Sequence, residues 1–374
     1  MMAPRTGPQR IERLTPVADV LARIDRLVLP VEPRRMALDS ASGRVLAADV
    51  RAPAASPAAP VALCDGWAVS SEATVDAGPF APAPIAAVPI QSGEPLPPEA
   101  DAVAPSEAVI LQGQNTMAVA PVAPGDGILL TGIDAGRHEL LGQSGYRLRA
   151  TDLAAMAALG VDSIDVREPE VRIVPARRDD AIIAAIAQLL GRIVQTGGAR
   201  PRLVPADARD LAAAMTDEEA DAVVVIGGSG SGVEDISVHA LAQVGRVEVH
   251  GVGLTPGETS ALGFVGRRPV LVLPGRVDAA VAGWLVLGAP MLGRLCGAAG
   301  ECVGAMPATL AAKITSSLGL AEVVPVRRED DKVAPLASGY LPLQSLLRAD
   351  GWILVPPDSE GYAPGSRVTV RPLP

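Results

Sequence analysis

The stretch DAVVVIGGSGSGVEDIS (residues 221–237) joins a stiff apolar run to a flexible loop of glycine and serine. Its first part, AVVVI, is rich in β-branched residues and is typical of a buried strand. The hexapeptide GGSGSG (residues 227–232) leaves backbone N–H groups unobstructed and tolerates positive φ. A strand, a glycine loop and a helix in that order favour an anion held by backbone N–H groups. The sequence therefore predicts an anion-binding loop, and a solvent-exposed flexible connection is the alternative.

Strand-like and helix-like segments alternate around this loop, from residue 169 to about residue 296. Such alternation predicts a mostly parallel sheet covered on both faces, with ligands bound where loops leave the carboxyl ends of strands. Two glycine loops leave such ends, GGSGSG and LPGR (residues 273–276). GGSGSG is neither a dinucleotide fingerprint nor a Walker loop, because it lacks the ribose-binding acid of the first and the Lys-Ser/Thr pair of the second.

The flanking sequence predicts other kinds of structure. A helix at residues 17–29 precedes Pro-punctuated apolar segments at residues 51–136, which are typical of a small all-β domain. Helix resumes at TDLAAMAALG, with Thr151 as the expected N-cap and Gly160 as the stop. Short strands return after residue 308, so a second small β domain is expected.

The charge and the cysteine content argue against several classes of protein. The 374 residues carry a formal charge of −10, whereas a nucleic-acid or acidic-membrane surface needs a basic face. With three histidines and only Cys64, Cys296 and Cys302, the chain shows neither zinc-ligand spacing nor a disulfide framework. We therefore expect no nucleic-acid partner and no structural zinc.

No targeting or membrane segment is expected. The start of the chain is polar, and the longest apolar run, residues 279–292, is too short to span a bilayer. Gly283, Gly288 and Pro290 also interrupt that run. These features predict a cytoplasmic protein without a membrane partner.

Eight short motifs follow one another along the chain: GRVLAADV, CDGWAV, SGEPLPPEADAV, GIDAG, ATDLAAMAALGVDSIDV, VVVIGGSGSGVED, TPGE and LPGR. Their order resembles that of the molybdopterin molybdenumtransferase family (MoeA, or gephyrin E-domain), from about residue 14 to the C-terminus, with the chain as a divergent member. The resemblance implies a multidomain α/β plus β fold, in an elongated four-domain subunit. It also implies a homodimer whose site lies between the α/β domain of one subunit and parts of the other.

The implied domains follow from the same resemblance. They are a discontinuous linker domain (residues 11–50 and 138–168), a Pro-rich β domain (51–137), a molybdopterin-binding α/β domain (169–303) and a C-terminal β domain (304–374). The implied activity is insertion of molybdate into adenylylated molybdopterin with release of AMP, and Mg²⁺ is the implied cofactor.

Three catalytic residues are implied. The family's Ser-Ala-Met-Asp-Gly-Tyr-Ala block is similar to ALCDGWA, which keeps the aspartate as Asp65. Its Thr-Gly-Ala-Pro-x-Pro block resembles SGEPLP, in which Ser92 keeps the hydroxyl. Its Gly-Gly-Val-Ser-x-Gly-x-x-Asp loop is similar to GGSGSGVED, which ends on Asp235. Asp65 and Asp235 are also the implied metal ligands.

The implied cofactor-binding residues lie on three loops. They are Gly227, Gly228, Ser229, Gly230, Ser231, Gly232, Pro256, Gly257, Pro274, Gly275 and Arg276.

Departures from the family's pattern concentrate where phosphate and molybdate would bind. The family's Lys-Pro-Gly-Lys is here TPGE, so Thr255 and Glu258 stand where two lysines are expected. A carboxylate there repels an oxyanion instead of attracting it. Arg177, Arg178 and Arg276 are candidates to restore the positive charge from other directions.

Three interpretations remain open at this point. The chain is an insertase, or a non-catalytic protein that holds molybdopterin or finished cofactor for a client molybdoenzyme, or a scaffold that keeps only the fold. The TPGE segment discriminates between the first two, because insertion needs cations there whereas binding of a differently charged pterin does not.

Overall fold

The computed structural model describes residues 9–204, 206, 210–216, 218–299 and 304–374. Up to residue 168 the helices and strands are, in chain order, α1 (Val17–Leu27), β1 (Arg34–Ala37), β2 (Val45–Leu46), β3 (Val50–Arg51), β4 (Val61–Ala62), β5 (Gly66–Val69), β6 (Ala83–Pro84), β7 (Ala87–Ile90), β8 (Ala102–Ala104), β9 (Val109–Gln112), β10 (Asn115–Ala118), β11 (Ile128–Leu129), β12 (Leu140–Gly142), α2 (Ala150–Ala158) and β13 (Ser163–Arg167).

Strands on either side of the Pro-rich stretch pair with each other. β13 lies between β1 and β2, and β12 pairs with β3, all antiparallel. Leu46, Leu148 and Ile164 share the apolar core of this unit. The chain thus leaves the unit near residue 51 and returns near residue 140. The domain limits given above stay a prediction.

The Pro-rich stretch between these strands consists of strands and short 3₁₀ turns. It forms the sheets β7-β5-β8 and β6-β10-β9 and the pair β11-β4. Asp101 accepts hydrogen bonds from the backbone N–H and the hydroxyl of Ser71, which hold the pKa of Asp101 below its usual value.

Helix α2 begins two residues earlier than the sequence indicated. Its N-cap is Arg149 instead of Thr151, because the Asp152 carboxylate accepts the Arg149 N–H at 2.8 Å. The predicted stop is confirmed, since Gly160 has a φ of +80° just after the helix.

We expect Asp152→Ala to destabilise α2 in a pH-dependent way. The Arg149 guanidinium binds the Asp152 carboxylate at 2.7 Å and lowers its pKa from 3.8 to about 2. Because the folded-state pKa lies below the unfolded value, this stabilisation is present above about pH 4 and is lost as the pH falls toward 2. The free energy of unfolding, measured with urea, should drop by about 0.5–1 kcal/mol at pH 7. The variant Asp162→Ala, at an exposed carboxylate, is the matched control. If the difference in unfolding free energy between Asp152→Ala and the wild type did not shrink below pH 4, the proposed role of the Asp152 carboxylate would be contradicted.

From residue 169 to 299 strands and helices alternate. They are β14 (Glu170–Pro175), α3 (Ala181–Thr196), β15 (Arg200–Leu203), α4 (Leu211–Thr216), β16 (Ala222–Ile226), α5 (Ser237–Val244), β17 (Arg246–His250), β18 (Leu254–Thr255), β19 (Ala261–Val265), β20 (Arg268–Leu273), α6 (Val277–Gly283) and α7 (Ala289–Cys296).

Six of these strands form one sheet in the order β15-β14-β16-β20-β19-β17. The first four are mutually parallel, and β19 and β17 add an antiparallel edge. The prediction of a mostly parallel sheet is confirmed, whereas β17 was not predicted. The carboxyl ends of β14, β16 and β20 are neighbours, so the loops that follow them meet on one side of the sheet.

Helix α1 packs against this α/β region. Its apolar positions Val17, Val20 and Ile24 recur on one face and lie in the same core as β14, β16 and β20. The bridge between Thr15 and Val252 ties the segment before the helix to the same region.

The apolar run after β20 is part of one continuous helical segment, and this segment is longer than the sequence indicated, so the prediction that it is too short to span a bilayer is wrong. A π-helical turn (Trp284–Gly288) joins α6 to α7, and Pro290, which has no N–H to donate, comes two residues after that turn. The indole of Trp284 lies so close to Gly288 that a side chain would collide with it. Residues Val277–Cys296 are long and apolar enough to cross a membrane, but 78% of their most apolar window is buried inside the protein.

Two of the three cysteines lie among the described residues, and both are free thiols. Cys64 is exposed and Cys296 is buried, and burial raises the pKa of Cys296 to about 11. Cys302 lies outside the described residues.

The C-terminal part is a small closed β structure. Its elements are β21 (Met306–Leu310), β22 (Ile314–Thr315), β23 (Ala321–Glu329), β24 (Lys332–Pro335), α8 (Leu343–Arg348), β25 (Gly351–Val355), β26 (Gly361–Tyr362) and β27 (Arg367–Pro372). The sheet runs β18-β23-β24-β21-β27-β25, and an extra pairing of β23 with β25 closes it. Its outer strand, β18, comes from the α/β region.

Candidate functional site

Loops from the ends of β14 and β16 line an open cleft of about 740 Å³. The cleft is lined by Ala176, Arg177, Arg178, Asp179, Asp180, Gly228, Glu234, Ile236 and Ser237. The third loop, at residues 274–276, packs behind them, and a Cβ on Gly275 would lie 3.4 Å from Gly227 Cα. The two predicted glycine loops therefore lie side by side.

Four consecutive amides of the glycine loop are available to a ligand. Gly227 and Gly228 have φ values of +90° and +69°, which turn the chain sharply away from β16. Among the described residues, no atom accepts a hydrogen bond from the N–H groups of residues 228, 229, 230 and 231. Successive free N–H groups in such a turn form a concavity that binds anions.

Four consecutive carbonyl groups of the same loop, at residues 227–230, accept hydrogen bonds from the protein. Ser237 Oγ donates to Gly227 O at 2.7 Å, and Gln9 Nε2 donates to Gly228 O at 2.8 Å and to Gly230 O at 2.6 Å. His250 Nε2 lies 2.9 Å from Ser229 O and must be protonated there, because a carbonyl only accepts. The loop is thus held from behind while its N–H groups stay free.

Asp235 closes the loop and does not cap the following helix. Its Oδ2 accepts the Gly232 N–H at 2.9 Å, whereas α5 begins at Ser237 with Ile236 as N-cap and no side-chain cap. The Arg177 guanidinium lies 3.3 Å from the Glu234 carboxylate and 3.9 Å from that of Asp235. Arg177 and Glu234 are both well exposed, so an incoming anion can compete for this cation at low cost.

The TPGE segment lies next to the glycine loop. Ser229 Oγ and Thr259 Oγ1 are 2.9 Å apart, and the Glu258 carboxylate accepts the Gly257 N–H at 3.1 Å. Pro256 and Gly257 are buried, and Glu258 is half-buried. A carboxylate therefore stands beside the loop that offers the free amides.

Arg276 is already engaged by protein groups. Its Nη2 lies 2.5 Å from Asp278 Oδ2, and its guanidinium lies 5.7 Å from the centre of the Tyr340 ring. The Asp278 carboxylate raises the pKa of Arg276 above its ordinary value, with Glu258 adding to the effect. Asp278 is only 3% exposed, so moving Arg276 to a ligand would leave a buried carboxylate without its partner.

Asp65 and Ser92 contact each other at a separate place. Asp65 Oδ1 accepts the Ser92 N–H at 2.8 Å, and Ser92 Oγ donates to Leu63 O at 3.0 Å. Within the described part of the chain, no hydrogen bond or ion pair joins them to the glycine loop. The roles assigned to Asp65, Ser92 and Asp235 stay a prediction, and one chain does not bring the three together.

The same residues do not fit a protein-held metal ion. No group of three His, Cys, Asp or Glu side chains among the described residues is arranged to hold one. Asp65 is bound to a backbone N–H, and Asp235 is bound to another and faces Arg177.

Models of three protein regions match the chain in succession. Residues 15–160 match the MoeA N-terminal region (domain I and II), and residues 307–373 match the MoeA C-terminal region (domain IV). Between them, residues 170–294 match a model described as "Probable molybdopterin binding domain". The chain belongs to the MoeA family. The predicted resemblance and fold class are confirmed.

Known MoeA relatives cover almost the same length. A Methanocaldococcus jannaschii protein, assigned provisionally to molybdopterin biosynthesis, is 26% identical over 88% of this chain and 89% of its own. Molybdopterin molybdenumtransferase 2 of Mycobacterium tuberculosis is 25% identical over 95% and 98%. The crystal structure of the MoeA protein of Pyrococcus horikoshii OT3 has a TM-score of 0.75 and 24% identity, over 96% of this chain and 99% of that one. It shows the shared MoeA fold.

Four residues that contact or adjoin the glycine loop were not predicted from the sequence: Gln9, Ser237, His250 and Thr259. Ser237 was within reach, because a serine at the start of the helix after a glycine loop is a common partner of loop carbonyls. Gln9 and His250 act across 219 and 21 residues, and nothing in their local sequence marks them.

Proposed function

We propose that this MoeA protein binds molybdopterin with its phosphate on the glycine loop. The observation that carries the proposal is the row of four N–H groups, at residues 228–231, that donate to no described protein atom. These N–H groups lie at the carboxyl end of β16, where ligands of parallel α/β sheets bind. Arg177 and Gly228 line the same cleft, and Arg177 adds a cation that an exposed carboxylate holds only weakly.

The family places the chain in molybdenum cofactor biosynthesis. We propose that it acts in the cytoplasm as a molybdenumtransferase, inserting molybdate into adenylylated molybdopterin and releasing AMP. Asp65 and Ser92 would then reach the glycine loop of a second subunit, because they do not reach that of their own chain. A homodimer is part of this proposal, and Mg²⁺, if used, would enter with the phosphates.

A second candidate function has specific support in the pairing of Arg276. Glu258 and Thr255 occupy the positions of two family lysines, and Arg276 is held by Asp278 and Tyr340. An oxyanion beside these groups would meet a carboxylate without a spare cation. We therefore keep the alternative that the protein binds molybdopterin or finished cofactor and delivers it to a client molybdoenzyme without inserting molybdate.

Two measurements on the purified protein test these proposals. Mass spectrometry of the native protein should show a bound pterin of the molybdopterin class. With adenylylated molybdopterin supplied, AMP release that depends on molybdate identifies the transferase, and retained pterin without such release identifies the binding protein. A protein that neither carries nor takes up any pterin would contradict both.

A further inference from the structure

The segment before α1 packs against residues 251–253 and reaches the glycine loop. Thr15 N–H donates to Gly251 O at 2.9 Å, and Gly253 N–H donates to Thr15 O at 2.8 Å. Gly251 has a φ of +96°, and a side chain there would collide with Ile11. These contacts fix the path of residues 11–15 and bring Gln9 to the back of the loop.

Gln9 is a buried polar residue with a defined orientation. It is 3% exposed, and its Nε2 donates to the carbonyls of Gly228 and Gly230. The opposite orientation of the amide would set Oε1 against two carbonyl oxygens, so the hydrogen bonds dictate which end faces the loop. Oε1 has no partner among the described residues.

Because peptide groups are planar, a hydrogen bond that fixes a carbonyl of the loop also fixes the N–H group on the opposite side of the same peptide. Each peptide bond holds its C=O and the next residue's N–H in one plane, pointing in opposite directions. Fixing Gly228 O therefore aims the N–H of Ser229, and fixing Gly230 O aims that of Ser231. His250 sets the Ser229–Gly230 peptide and Ser237 Oγ sets the Gly227–Gly228 peptide in the same way. The Ser237 N–H also donates to Gly228 O at 3.0 Å, so Gln9 shares that carbonyl, whereas Gly230 O has no other described donor. All four free amides are thus aimed by hydrogen bonds to the carbonyls behind them, and Gln9 supplies two of these.

We propose that Gln9 is a positioning residue of the anion loop: its side-chain amide sets the direction of the Ser231 N–H and, together with the Ser237 N–H, that of the Ser229 N–H toward the ligand's phosphate. This inference rests on the proposed molybdopterin site. It makes the N-terminal segment part of that site, although Gln9 itself touches only the far side of the loop.

Gln9→Glu, Gln9→Ala and the control Glu12→Gln test the inference in the full-length protein. We expect Gln9→Glu to weaken molybdopterin binding at least tenfold at pH 8, because a carboxylate would face two carbonyl oxygens. Gln9→Ala should weaken it about three- to tenfold, and the exposed Glu12→Gln less than twofold.

The pH dependence of Gln9→Glu separates positioning from a purely structural role. A protonated glutamic acid can again donate to one carbonyl, so the affinity relative to wild type at the same pH should recover at least threefold between pH 8 and pH 5. The charged or titratable side chains near the loop are His250, Asp235, Glu234, Glu258, Arg177, Arg178, Asp179 and Asp180. They are present in both proteins, so the ratio removes their contribution. Recovery that is absent, with a folded variant, would overturn the proposal.

A measurement without ligand keeps the test independent of the proposed function. Backbone ¹⁵N order parameters at residues 228–231 should be near 0.85 in the wild type and fall below about 0.6 in Gln9→Ala. Wild-type protein that binds no molybdopterin would reject the proposed function, and the order parameters would still decide whether Gln9 orders the loop. Affinities and order parameters that match those of the wild type in both Gln9 variants would overturn the inference.

Discussion

Ser231→Asp should weaken molybdopterin binding at least tenfold while leaving the fold intact. Ser231 is exposed, lies at the end of the row of free amides and needs no special backbone conformation. A carboxylate there would lie about 5 Å from a bound phosphate, and two like charges at that distance repel by about 3 kcal/mol at an effective dielectric constant of 20. Allowing for solvent screening, we expect at least a tenfold loss of affinity.

Ser231→Ala and Ser231→Asn are the matched controls, because they change the side chain without adding charge. Both should stay within about threefold of the wild type, since the ligand is held by the backbone N–H group. Isothermal titration with molybdopterin measures all three variants. Equal affinity of Ser231→Asp and Ser231→Ala would place the anion elsewhere. Valine at Gly228 or Gly230 is a less clean test, because its Cβ would collide with Ser237 or Asp235 and disturb the folded loop.

The double variant Thr255→Lys/Glu258→Lys should raise molybdate-dependent AMP release at least tenfold over the wild type. It replaces a neutral group and an acid by two cations beside the glycine loop, a change of three charge units. Cations fixed near a developing oxyanion stabilise the transition state, and they act more strongly in a partly dry site than in water. Glu258 is half-buried and adjacent to the loop, so its replacement is felt there.

The single variants separate loss of repulsion from gain of attraction. Glu258→Gln removes only the negative charge, and Glu258→Lys alone leaves position 255 without a cation, so neither should reach the level of the double variant. Single-turnover release of AMP from adenylylated molybdopterin gives the comparison. A double variant that binds the pterin as tightly as the wild type yet releases no more AMP would mean that the molybdate does not bind at these residues.

The α/β region was predictable because its signals are local. The sequence AVVVI, followed by GGSGSG and a helical pattern, predicts a parallel strand, a tight turn and a helix that runs back along the sheet. The structure has β16, the glycine loop and α5 in that order. The antiparallel edge was harder, because the sequence of β17, RVEVH, is short, polar and follows directly on a helix. The orientation of an edge strand depends on the path of the chain to the following element, and local sequence periodicity carries no information about that path.

The site was predictable only in part, because its electrostatics depend on pairing. The sequence shows Arg276 as a candidate cation, but the structure assigns it to Asp278 two residues later and to Tyr340 in the C-terminal part. Asp65 and Ser92, 27 residues apart, do meet, but no hydrogen bond or ion pair among the described residues joins them to the glycine loop. Gln9 shows the same limit, since a glutamine becomes a loop support only through a fold that brings it to the loop.

The pairing of β18 with β23 limits how this protein can be divided. Leu254 and Thr255 pair in parallel with Ala321 and Glu322. The outermost strand of the C-terminal barrel therefore comes from a segment some 65 residues upstream. A fragment of residues 304–374 would keep its apolar interior but expose an unpaired strand edge, which invites sheet-to-sheet aggregation. Conversely, the α/β region cut off after Cys296 would leave residues 254–255 as a strand without a sheet. The C-terminal β domain therefore has one boundary along the sequence and a different one in its hydrogen bonding. A C-terminal fragment that folds alone would need another strand in place of β18.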